Sequence, residues 1–166
     1  MSSITLHILR PKAAYAVVYL EHQDFAVGIG CPPLAGPAFI PAANKALVRR
    51  YFDERWNHGS VAICDELLAP SMDIQGQKAY VTSMLAAYGD AQLAILDLIA
   101  EGDQVAIHWR FSGIHRGEHM GVAATGKPVS FAGIALLRVI DGKIVDDIAY
   151  WDSLEIMQQL GAAPAA

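Results

Sequence analysis

Leu47, Val48, Tyr51, Phe52 and Trp56 recur at the three-to-four spacing of a helix with one buried stripe, and Asn57-His58-Gly59 then supplies a stop signal. Ser60 is placed to cap a second, shorter helix whose inner face is Val61, Cys64, Leu67 and Leu68, with Pro70 ending it. A third helix runs through Tyr80, Val81, Met84, Leu85 and Tyr88 and stops near Gly89. After Asp90 the period drops to two. Leu93 to Ala100 and Val105 to Ser112, joined by Glu101-Gly102-Asp103, predict a hairpin with Val105, Ile107, Trp109 and Phe111 on one face. Val129 to Val139 and Lys143 to Tyr150 predict a second hairpin. Its Asp141-Gly142 connection suits a type I′ turn, because both residues tolerate positive φ. Leu154, Met157 and Leu160 predict a last short helix closed by Gly161.

Three helices followed by four antiparallel strands define an α+β fold. The expected form is a cone, in which a curved antiparallel sheet carries about three helices on its concave face and leaves a pocket between the layers. At 166 residues the chain has the size of one domain. That domain is expected over residues 42–161. Residues 1–41, ending in a run with Gly28, Gly30, Pro32, Pro33, Gly36, Pro37 and Pro41, form an N-terminal appendage, and 162–166 a flexible tail. Ala14 to Leu20 could be a strand or a short helix.

With 54% of residues hydrophobic and 17% charged, the composition fits a large apolar interior, a buried cavity or a subunit interface. The net charge of −5 comes without a basic cluster beyond Arg49-Arg50, which disfavours nucleic acid as a partner. Ala13 to Leu20 is too short to span a bilayer, so no membrane partner is expected. Arg10 and Lys12 ahead of it imitate a signal peptide, but no convincing small-residue cleavage site follows. Cys31 and Cys64 lack the spacing of a zinc or redox pair, and a reduced, cytoplasmic setting is expected. His108, His115 and His119 are the closest histidines, yet they have no matching carboxylate, so no metal site is expected. The glycines from Gly113 to Gly126 are too irregular for a phosphate-cradling loop.

Asn44 to Pro70, with Arg50-Tyr51-Phe52, Trp56-Asn57-His58-Gly59 and Asp65-Glu66-Leu67-Leu68-Ala69-Pro70, resembles the opening of SnoaL-like proteins. These are the polyketide and ester cyclase branch of the nuclear-transport-factor-2-like superfamily. Glu101-Gly102-Asp103, His115-Arg116-Gly117-Glu118, Thr125-Gly126-Lys127, Gly133-Ile134, Gly142-Lys143-Ile144-Val145 and Gln159-Leu160-Gly161 continue the likeness in order. The resemblance implies a catalytic aspartate in the last strand, four residues after a usual tryptophan; those places are Asp152 and Ile148. It also implies a homodimer, no cofactor, and intramolecular aldol closure of a small, apolar carbonyl ester of polyketide type. The chain departs from the family at Ile148, at Ala123 and Ala124 in place of prolines, and after Pro70, where Ser71 to Gly76 shortens a loop that usually carries a histidine.

Strand alternation places Ile144, Asp146, Ile148, Tyr150 and Asp152 on one side. If Ile148 faces the helices, so does Asp152, and an apolar cavity would raise its pKa toward the range useful for proton transfer. Asp152 is equally placed to N-cap the helix from Ser153. The remaining substrate-binding candidates are Trp56, Trp109, Phe111, His119, Met120, Arg138, Ile148 and Tyr150. For the aromatics the competing role is core packing, and for Arg138 an ion pair with Asp146 or Asp147. His119 is expected to overhang the pocket mouth, and His115 to order its loop. The competing function is a non-catalytic cone that binds a small apolar ligand or dimerises, or another proton-transfer enzyme such as an isomerase or hydrolase.

Overall fold

A computed structural model describes residues 41–162. The appendage through residue 40, with Ala14 to Leu20 and Cys31, and the tail beyond Ala162 lie outside the described residues. The elements run α1 (Pro41–Phe52), a five-residue π-helical turn (Asp53–Asn57), α2 (Ala62–Leu67), α3 (Ile74–Ala87), β1 (Tyr88–Glu101), β2 (Gln104–His115), β3 (Pro128–Ile140), β4 (Lys143–Trp151) and α4 (Ser153–Leu160). The strands form one antiparallel meander, β1-β2-β3-β4.

The stripe on α1 buries Val48, Tyr51 and Phe52 and continues into the π turn through Arg55 and Trp56. There the His58 amide reaches back five residues to the Asp53 carbonyl (3.3 Å), the wide closure that defines a π turn. Ser60 does not cap α2; its amide donates to the Glu54 carbonyl, and α2 starts after Val61 without a side-chain cap. Asp73 caps α3, accepting from Gly76 N at 2.9 Å. Helix α3 passes into β1 with no loop, so Tyr88, expected on the helix, is the first strand residue.

Inward side chains of β2 and β3, among them Val105, Ile107, Phe111, Phe131, Ala135 and Leu137, pack under the helices as one core with Tyr51, Ile63, Val81 and Ile156. Each large aliphatic or aromatic side chain buried there is worth about 1.5–3 kcal/mol. The Asp141-Gly142 turn has φ of 49° and 72°, the two positive values its sequence predicts.

Bulges curve the sheet. Two interrupt β1, between Gly89 and Gln92 and between Ile95 and Asp97, and one interrupts the β3–β4 ladder between Arg138 and Val139. In the last, Val139 pairs with Ile144 but Arg138 with Asp146, so Val145 is the extra residue. Ile144 is held in place by its carbonyl, which accepts from Ala69 N at 2.8 Å. Past Val145 the alternation is reversed, and the second half of β4 turns Asp147, Ala149 and Trp151 to the helices.

Candidate functional site

The π turn and the reversed half of β4 meet at a buried ion pair. Arg55 Nη1 lies 3.8 Å from Asp147 Oδ2, with side chains 6% and 5% exposed. The same nitrogen donates to Tyr51 Oη and to Gln77 Oε1 (3.3 Å). The guanidinium carbon stands 4.3, 4.8 and 5.1 Å from the ring centres of Tyr51, Phe52 and Trp56. Burial pushes the Asp147 carboxyl above its ordinary range; Arg55 opposes the shift and Asp146 adds to it. Burial also raises the Tyr51 and Tyr80 hydroxyls, both of which sense Arg55 and Asp147, so both phenols keep their protons.

Arg55 opens onto a cavity of about 40 Å³. That is room for roughly three water positions. Trp56, Trp109 and Phe111 line it, together with Phe131, Leu93 and Met84. Gly133 lets Trp109 lie across the sheet: a Cβ there would stand 2.3 Å from the Trp109 ring. Tyr80 and Trp151, each about 40% exposed, also line the cavity and stack with ring centres 6.4 Å apart.

Three of the expected binding residues, Trp56, Trp109 and Phe111, are therefore together. The others are elsewhere. Ile148 and Tyr150 are 45% and 75% exposed on the convex face, because the Val145 bulge reverses their side. Arg138 is also on that face and pairs with Asp103. Met120 is exposed in the loop after β2, with φ of 53°. His119 is half-buried but is not on the cavity wall; its Nδ1 lies 2.8 Å from Tyr88 Oη.

Asp152 does not look into the cavity. It is exposed, follows the reversed half of β4, and its Oδ1 accepts from Leu154 N (2.8 Å) and Glu155 N (3.1 Å), capping α4. The inward carboxylate of this strand is Asp147. Sequence reading missed it together with Arg55, although Arg55 sits four residues after Tyr51 and three after Phe52, in phase with the apolar stripe. A charged residue in that phase is the available signal.

His115 is fully buried, and its Nδ1 accepts from Thr125 N at 3.2 Å, with Thr125 Oγ1 3.1 Å away. It orders the loop after β2 as expected. His108 instead pairs with Asp97. Burial lowers the His119 pKa, and His115 lowers it further. A histidine lowered by folding binds fewer protons folded than unfolded. The stability it contributes is full above about pH 6.5 and is lost as pH falls toward the folded value. Denaturation midpoints at about pH 7.5 and pH 5.5 are expected to differ less in His119→Gln than in the parent. An unchanged difference removes His119 from the acid response.

A curved four-stranded antiparallel sheet with helices packed on one face over an aromatic cavity defines the class of fold. The model of the SnoaL-like polyketide cyclase family matches residues 46–160, and the chain belongs to that family. Among solved structures it is similar to TsrD from Streptomyces laurentii, with 26% identity, 76% of this chain and 100% of that one covered, and a TM-score of 0.71. AclR from Streptomyces galilaeus, provisionally named a hydroxylase, gives 27% identity, coverage of 76% and 89%, and a TM-score of 0.70. IdmH from Streptomyces antibioticus, provisionally named a polyketide cyclase, gives 26% identity, coverage of 71% and 98%, and a TM-score of 0.64. A search of curated proteins returned no match. Among the described residues no helix is long and apolar enough to cross a membrane.

Proposed function

We propose that this chain is a cyclase that closes a ring in a polyketide-like carbonyl ester by proton transfer inside the cone. The observation that carries this reading is the Arg55–Asp147 pair, buried beside an aromatic cavity in a member of a cyclase family. Asp147 takes the part expected of Asp152. Its carboxylate removes a proton from carbon flanked by carbonyls, and the enolate carbon attacks a second carbonyl of the same molecule. One carbon–carbon bond forms, and the alkoxide receives the proton back. No atom is gained or lost.

At 3.8 Å the ion pair is looser than a charge-assisted hydrogen bond. A substrate oxygen that draws the guanidinium outward exposes the carboxylate behind it. At about 40 Å³ the cavity is too small for such a substrate, so the Tyr80–Trp151 stack must part on entry. Incubating the full chain with aromatic β-keto methyl esters that carry a further ketone placed for ring closure tests the reading: the expected product has the mass of the substrate and a shifted chromatographic position. Ligand binding with no such product at any substrate, and no difference between parent and Asp147→Asn, would leave the non-catalytic binding cone.

The convex face is expected to pair with a second copy. Ile134, Leu136, Ile148 and Tyr150 are 42–75% exposed and adjacent in register, Ile134 opposite Tyr150 and Leu136 opposite Ile148. A contiguous apolar patch of this kind marks an interaction surface. Ile134→Lys combined with Ile148→Lys is expected to turn a dimer into a monomer by light scattering on a sizing column. A parent chain already monomeric at tens of micromolar rejects the pairing.

A further inference from the structure

Three residues of the cavity wall share one property. Arg55 Nε, Trp56 Nε1 and Trp109 Nε1 are buried and have no acceptor among the described residues. The three residues line the same cavity and are only 5%, 6% and 6% exposed. Guanidinium and indole N–H groups donate and never accept. Buried donors are normally paired, so three unpaired ones carried by residues of one cavity wall describe the ligand that would complete them once the wall opens to admit it.

The apolar remainder of the wall narrows that ligand further. Trp56 packs against Phe111 (5.8 Å), Phe111 against Phe131 (5.3 Å) and Phe131 against Trp109 (5.9 Å), so the two indoles belong to one continuous aromatic lining. A ligand that fits must carry acceptor oxygens and be flat and apolar otherwise. An ammonium in the same place would bring donors to donors and a cation to a cation.

We infer that the cavity takes its ligand as the delocalised enolate anion of a 1,3-dicarbonyl, its two oxygens shared among Arg55 Nε, Trp56 Nε1 and Trp109 Nε1. This inference rests on the cavity being the reaction site proposed above. The anion is preferred over the neutral ketone because the wall carries a cation, and a charge-assisted hydrogen bond is roughly twice as strong as a neutral one. The Asp147 carboxylate behind Arg55 offsets that charge only in part, since the pair stands at 3.8 Å and not at hydrogen-bond distance. Holding the enolate in this way stabilises the intermediate of ring closure and leaves its carbon free to attack.

Trp56, Trp109 and Trp151 are the chain's three tryptophans, and all three line the cavity, so intrinsic fluorescence reads its occupancy directly. The test titrates the full chain with 1,3-cyclohexanedione under conditions where it is ionised. The comparison ligand is 3-methoxycyclohex-2-en-1-one, its methyl enol ether, which has the same ring and cannot ionise. The dione is expected to bind at least tenfold more tightly. Trp56→Phe and Trp109→Phe are each expected to weaken the dione about tenfold and the ether hardly at all. Equal affinity for the two ligands in the parent chain, or binding of neither, overturns the inference without requiring any variant to fold. The outcomes also separate it from the cyclase reading. Equal affinities with turnover abolished in Asp147→Asn leave ring closure standing and remove the enolate clamp. A retained dione preference with turnover unchanged in Asp147→Asn does the reverse.

Discussion

Asp147→Asn is expected to lower ring-closing turnover by about 10²- to 10⁴-fold, the usual contribution of a positioned acid–base group, while Asp152→Asn leaves it near the parental rate. The two residues lie in the same short stretch of chain but in opposite environments. Asp147 is turned to the helices with its side chain 5% exposed against Arg55, whereas Asp152 is exposed and spends one oxygen on two helix amides. Asparagine caps a helix about as well as aspartate, so Asp152→Asn keeps its structural task; Asp152→Ala loses it, at about 1 kcal/mol.

Folding must be shown to survive in Asp147→Asn, and here the sign of the pKa shift matters. A carboxyl raised by folding stabilises the protein only at low pH, where it is protonated in both states, and that contribution is lost as pH rises through the folded value. At neutral pH the charged Asp147 is therefore a burden on the fold, which asparagine removes. Against this, Arg55 loses its counter-charge. It keeps Tyr51, Gln77 and three ring faces, so the net loss is expected at about 1–2 kcal/mol, below the ~3–5 kcal/mol of breaking a tight buried pair. Denaturant midpoints check this. Parental turnover in Asp147→Asn, with Asp152→Asn inactive, would return the acid–base role to Asp152.

The difference between these two aspartates also shows where the sequence was readable. Regular alternation made β2 and β3 plain, and Asp141-Gly142 announced its own turn. The first half of β4 was plain as well, since Ile144 is buried as alternation requires. The bulge at Val145 was not. Ile144, Val145, Ile148 and Ala149 are apolar in both phases, so a reversal between them leaves the hydrophobic pattern equally satisfied, and every later residue is assigned to the wrong face. Ile148, Tyr150 and Asp152 were lost to the cavity by that one residue, Ala149 and Trp151 were gained, and Asp147 was turned inward behind Arg55.

Arg55 was hidden for a different reason. A search for apolar residues at helical spacing passes from Phe52 to Trp56 and skips the charged residue between them. Its burial depends on a partner in β4, more than ninety residues further along the chain, that only the folded register supplies. The likeness to the family carried the fold and the aromatic half of the site. The charged half depended on a β-bulge and a long-range pair, neither of which leaves a local signature.

Gly133→Ala should disable the site from a position that has no functional group at all. Gly133 faces Trp109 across the β2–β3 ladder, and an added Cβ would meet the indole at 2.3 Å and the Tyr150 backbone oxygen at 2.6 Å. Neither approach is tolerable. The ring can swing aside, but the oxygen belongs to β4, whose close passage is part of the curvature that brings Asp147 and Trp151 over the cavity. Overpacking of this kind destabilises by about 1–3 kcal/mol, and the displaced indole should shift the tryptophan emission and weaken ligand binding together. Combining Gly133→Ala with Trp109→Phe removes the ring atoms that clash and leaves the backbone contact, so stability should return only in part. Full recovery would mean that the indole alone demands the glycine. Parental stability and emission in the single variant would mean that Trp109 does not lie over Gly133, and the cavity wall would have to be redrawn.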